Sequence, residues 1–113
     1  MGEIYSGCGL SRAYEGRLED EHVYRGSWGA ELIGTVTHDG CVYRGAGLSR
    51  ALVGHVTREG EVFEGAGWGA SEVGRVDADG YVFAGSGFGK ELVGEVEAPR
   101  RLASGAAFLL LFR

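Results

Sequence analysis

A unit of about 20 residues recurs along the chain, and it limits the possible folds more than any other feature. Aliphatic-aromatic pairs stand at Ile4-Tyr5, Val23-Tyr24, Val42-Tyr43, Val62-Phe63 and Val82-Phe83, with Leu102-Ala103 as a degenerate sixth. The repeats therefore start near 4, 23, 42, 62, 82 and 102, at spacings of 19, 19, 20, 20 and 20 residues. Two residues after each pair comes a glycine: Gly7, Gly26, Gly45, Gly65, Gly85, Gly105. A second glycine recurs as Gly16, Gly34, Gly54, Gly74 and Gly94, usually in the frame Val-Gly-x-Val. Self-similarity at this period marks a repeat architecture in which one unit cannot bury its own apolar face.

Each unit reads as two short strands. "LVGHV" and "EVFEG" are rich in valine and aromatics and flank "TREG", and the related turns are "THDG" and "DADG". Such a pattern predicts β-hairpins, with Gly40, Gly60 and Gly80 supplying a positive φ in the turn. "EDEH" (19–22) and "APRR" (98–101) lack that glycine and are expected to be looser loops. A two-residue turn would set Val56 opposite Phe63 and Gly54 opposite Gly65. A three-residue turn is the second choice, because it mixes the faces. Paired glycines would leave slots for aromatic rings of the next hairpin, so Tyr5, Tyr24, Tyr43, Phe63 and Phe83 are expected to form most of the core.

Hairpins of this length must stack or close. Residues 4–7 are a second strand without a first, and "FLLLF" (108–112) is an apolar strand candidate without a successor. Pairing the two would close a ring and remove both edges. The expected fold is thus all-β: one domain over 1–113, of five to six glycine-rich hairpin repeats closed into a compact toroid, propeller-like in outline. The recurring Val-Tyr-x-Gly and Val-Gly-x-Val-x-x-Asp-Gly over 4–105 resembles the β-flower repeat proteins, small bacterial chains of about five hairpins around an axis. That resemblance implies a toroid of hairpin petals and no established activity. MORN repeats, which also combine Tyr-x-Gly with later glycines, are a second and weaker resemblance.

Glycine accounts for 22 of 113 residues, and a single proline argues against a collagen-like or proline-rich chain. A net charge of −5 with scattered basic residues argues against nucleic acid as a partner. Cys8 and Cys41 occupy different places in the repeat and are expected to be free thiols of a cytoplasmic protein. No signal-peptide pattern opens the chain. "MGEIYS" satisfies the loose myristoylation pattern but overlaps the first strand, and "AAFLLLF" (106–112) is too short to span a bilayer. No membrane partner is expected. The apolar tail would offer a surface for homo-oligomerisation if it does not close the ring.

No catalytic constellation stands out, and no cofactor is implied. His22, His38 and His55 lie at three different repeat positions without metal-ligand spacing, so a metal-dependent hydrolase is the least favoured function. "DADG" lacks the further oxygen ligands of a calcium loop. The "GAGLSR" and "GAGWGA" stretches open no helix that would hold phosphate, and Ser11 and Ser49 have no activating partner. Trp28 and Trp68, with Phe88 at the equivalent place and Leu10 and Leu48 between, form the most informative group. They are either loop packing or half-exposed platforms beside Glu31, Ser71 and Lys90 for a sugar ring or a peptide side chain. A non-enzymatic structural or interaction module is therefore expected. The alternative is lectin-like, multivalent binding of carbohydrate or peptide through loops 27–31, 66–72 and 86–91.

Overall fold

The computed structural model describes residues 2–7, 9–26, 30–45, 50–65, 69–85, 89–97 and 100–112. Ten strands follow in order: β1 (Gly2–Ser6), β2 (Ala13–Glu19), β3 (His22–Arg25), β4 (Glu31–Val36), β5 (Cys41–Arg44), β6 (Ala51–Val56), β7 (Glu61–Glu64), β8 (Ser71–Val76), β9 (Tyr81–Ala84) and β10 (Glu91–Val96). A 3-10 turn (Gly9–Ser11) lies between β1 and β2. The chain ends in a helix α1 (Arg101–Ala107) that widens into a π-helical turn (Phe108–Phe112). Every strand pairs antiparallel with its chain neighbours, and β10 pairs with β1, so the sheet is a closed barrel. With extents of 39 × 37 × 21 Å it is a thick disc. Five strand pairs make the petals of the ring: the hairpins β2–β3, β4–β5, β6–β7 and β8–β9, and the closing pair β10–β1. The degenerate sixth repeat, Leu102-Ala103, is helical, which fixes the petal number at five.

The turns take the second-choice register. Thr57 and Glu61 pair around a three-residue loop, with Gly60 at φ +92° donating its N–H to Thr57 O at 3.0 Å. Val56 thereby faces Val62 and His55 faces Phe63. The faces do not mix, because each long strand carries a β-bulge. Glu15, Ile33, Val53, Val73 and Val93 are skipped in the ladders to the preceding hairpin. A bulge adds twist and bends the strand, which lets such short strands close a ring. Each bulge carbonyl accepts a 2.9 Å hydrogen bond from the glycine that follows an aliphatic-aromatic pair: Gly26, Gly45, Gly65, Gly85 and Gly7 in turn. Those glycines have φ between +74° and +106°, a region L side chains rarely enter. "EDEH" proves tight rather than loose: Glu19 pairs with His22, and Asp20 carries the positive φ (55°).

The inward face is aliphatic. Ile4, Leu18, Val23, Val36, Val42, Val62, Val76, Val82 and Val96 are buried, and Val56 completes the ring of ten half-buried. The five aromatics expected in the core instead lie half-buried on the outer wall. There the Arg12 guanidinium lies over Tyr5 at 3.8 Å, Arg17 over Tyr24 at 4.9 Å and Arg50 over Tyr43 at 4.2 Å, while His55 stacks on Phe63 at 5.1 Å. The reason is the bulged register, which hands the inward positions to valine and to glycine.

The glycine slots are filled by the tail, which is not the closing strand expected of it. Phe108 lies against Gly94, Leu109 against Gly74, Leu110 against Gly54, Leu111 against Gly34 and Phe112 against Gly16. A Cβ at any of these glycines would come within 2.6–2.9 Å of the facing side chain. Consecutive residues thus step round consecutive petals, one fifth of a turn each. An α-helix, at 3.6 residues per turn, overshoots that step, and the wider i→i+5 coil comes closer to it. Before it, α1 runs past the aliphatic ring with only Ala103, Ser104, Gly105, Ala106 and Ala107 buried, because a Cβ on Gly105 would overlap Val76. Small helical residues meet the large ring, and large ones meet the glycines. Arg44 and Arg25 then donate to the carbonyls of Leu110 (2.9 Å) and Leu111 (3.3 Å), which have no partner within the coil.

Candidate functional site

An up-and-down barrel gathers alternate connections at opposite ends. The four hairpin turns, including Asp20-Glu21, 38–40, 58–60 and 78–80, stand at the end where α1 begins. The described ends of the five connections 7–12, 26–30, 45–50, 65–70 and 85–90 stand at the other end, where the tail finishes. These are the loops that carry the tryptophan-leucine-phenylalanine position of the repeat. Trp28, Trp68, Phe88 and Leu48 lie outside the described residues. Leu10, their counterpart in the first loop, is fully exposed on the 3-10 turn.

Glu31 is exposed at the first position of β4, paired across the ladder with Arg25. Lys90, just before β10, reaches Glu72 at 3.8 Å. Ser71 is exposed at the start of β8. All three stand at the loop end, on three different petals: β4–β5, β8–β9 and β10–β1. The same end holds the charged mouth of the lumen. Arg25 and Arg44 are committed to the tail carbonyls, and Glu64 occupies the equivalent position on β7. These three are the x of the Val-aromatic-x-Gly motif, which repeat reading treats as variable surface. Nothing in the sequence marks two of them as caps for a central helix.

On the wall below this end, Arg12 bridges Glu95 (3.3 Å) and Glu97 (3.4 Å) while covering Tyr5. Burial works against the Arg12 charge, but Tyr5, Glu95 and Glu97 outweigh it and hold its pKa above the ordinary arginine value. Burial, with Glu3 and Glu97, raises the Tyr5 phenol. The hydrogen bond to Glu19 raises Arg17 in the same way.

Comparison with protein-family models, with curated proteins and with solved structures finds no match to this chain. Its surfaces have to be read from their own chemistry. The three histidines sit apart: His22 opens β3, His38 leans toward Glu21 (3.6 Å) from an exposed turn, and His55 is stacked on Phe63. Among the described residues no group of three or more His, Cys, Asp or Glu side chains is arranged to hold a metal ion. Ser11 is exposed on the 3-10 turn, and Ser49 lies outside the described residues. Cys41 is a free thiol on the outer wall, and Cys8 is not described. No described helix is long and apolar enough to cross a membrane.

Proposed function

We propose that this chain is a non-enzymatic interaction module of β-flower type, whose contact surface is the loop end of the ring. The observation that carries the reading is topological: five equivalent connections leave one end of a closed barrel around one axis. The lumen, where a small barrel would otherwise hold a ligand, is filled by the chain's own tail. Recognition is thereby left to the ends and the outer wall. Repeated loops on one rim suit a partner with repeated features, since several weak contacts made together multiply. By their place in the repeat, Trp28 and Trp68 are the proposed anchors of this surface, together with Phe88, Glu31 and Lys90. The free thiol of Cys41 fits a reducing, cytoplasmic setting.

The same grouping favours a lectin-like form of the module as the second reading, because an indole platform with a nearby carboxylate or amine suits the face and hydroxyls of a sugar ring. Tryptophan emission and acrylamide quenching test the surface itself. Red-shifted, readily quenched emission is expected. Blue-shifted emission shielded from acrylamide would mean packed indoles and would end the platform reading. A glycan array with the Trp28→Leu/Trp68→Leu variant then separates carbohydrate from protein recognition. Retention lost in the variant supports the lectin form, and an unchanged array excludes it.

A further inference from the structure

The opposite end of the disc holds a cleft of about 700 Å³ between the turns at 37–40, 56–59 and 76–78 and the segment 100–103. Its origin is an asymmetry in how the tail enters the barrel. Arg100 donates to Asp20 O (2.6 Å) and Thr37 O (3.1 Å), which fastens the start of α1 over the first two turns. The β6 sector is left uncovered. Val56 is accordingly the one member of the ten-residue aliphatic ring that is not fully buried, and with half-buried Leu102 it forms an apolar floor.

The charged groups around that floor are not equivalent. Nine arginines are described. Arg12 and Arg17 pair with carboxylates, Arg25, Arg44 and Arg100 donate to carbonyls, and Arg50 covers Tyr43. Arg58, Arg75 and Arg101 have no partner among the described residues, and two of these three line the cleft. The carboxylates beside them are mostly committed. Asp39 accepts from the Thr37 hydroxyl, and Asp77 accepts from the N–H groups of Asp79 (3.0 Å) and Tyr81 (2.9 Å). His38 leans away toward Asp20 and Glu21. Among the described residues of the cleft, Glu59 is the one carboxylate without a hydrogen-bond partner, and Arg58 and Arg101 are two guanidinium forks without one. Asp39 and Asp77 are held in place by neutral donors and keep their charge.

We propose that this cleft binds a small organic anion, a carboxylate or phosphate monoester with a short apolar body. Arg58 and Arg101 hold the anionic oxygens, and the body lies on Val56 and Leu102. A guanidinium offers paired N–H donors in the geometry such oxygens accept. The volume is in the range of small-molecule sites. The proposal is independent of the loop-end reading, since it uses none of the same residues.

Titration of the ¹⁵N-labelled full chain with hexanoate, hexyl phosphate, inorganic phosphate and hexylammonium tests it. Saturable amide shifts confined to 37–40, 56–60, 76–78 and 100–103 are expected with either hexyl anion. The stronger of the two tells which headgroup the site prefers. Inorganic phosphate should bind more weakly, for want of the floor, and hexylammonium should leave these amides unmoved. Arg58→Gln and Arg101→Gln should each weaken hexyl-anion binding about tenfold, as loss of a charge-assisted hydrogen bond would. Arg75→Gln, outside the cleft, should not. Shifts scattered over the disc, an equal response to hexylammonium, or an equal loss in Arg75→Gln would each overturn the assignment.

Discussion

Gly16, Gly34, Gly54, Gly74 and Gly94 are required by space and not by backbone torsion. A methyl at Gly74 would overlap Phe83 O, a backbone atom of the ladder, and lie 2.6 Å from a Leu109 methyl. Gly74→Ala should therefore cost about 1–3 kcal/mol, read by urea unfolding. Ser104 presents the reverse case. Its hydroxyl is fully buried without a hydrogen-bond partner among the described residues. Ser104→Ala removes the unsatisfied oxygen that lies against Gly2, so it should raise stability by about 1 kcal/mol. Tyr5 gives a residue-level test in pH. Its folded pKa is raised above the ordinary value of 10.0, first by burial and then by Glu3 and Glu97. The stability it contributes is therefore complete below the unfolded value and is lost as pH rises through the folded one. A 295 nm titration should show a late-ionising phenol that disappears in Tyr5→Phe.

At the scale of elements, the tail and the hairpins differ in how far the sequence reveals them. Hairpin boundaries were legible, because valine-rich runs and Asp-Gly or Glu-Gly turns are local signals. Register was not, since one residue more in the turn exchanges His55 for Val56 opposite a given partner, and the bulge that restores the faces leaves no mark beyond the repeated Val-Gly. "FLLLF" was misread for a plainer reason: a short apolar run has no period with which to tell strand from buried helix. Five glycines at one repeat position and five large apolar residues in succession were both visible. Their one-to-one match depends on an axis that appears only once the ring is closed. Leu110→Ala empties one slot and should cost about 2–5 kcal/mol, whereas Leu10→Ala, on a fully exposed loop residue, should stay within about 0.5 kcal/mol.

For the molecule as a whole, the closed sheet follows from the arithmetic of the chain. It begins with the second strand of a hairpin and supplies the missing partner as β10, so no edge is left to template aggregation. The inside of the ring is spent on its own tail, and the two ends differ: the five connections between petals leave from one, and the other holds a cleft lined by Arg58 and Arg101, which have no partner among the described residues. The loop-end residues were legible as a group because they share a repeat position. The cleft was not, because it comes from the tail entering off-centre, which no single repeat encodes. The central claim is that each tail side chain occupies its own glycine slot. Methyl-to-Hα nuclear Overhauser effects test it most directly. The leucine methyls of residues 109, 110 and 111 should contact the Hα protons of Gly74, Gly54 and Gly34 respectively. Contacts from those methyls to the backbone of residues 4–7, or random-coil shifts throughout 108–112, would contradict the account.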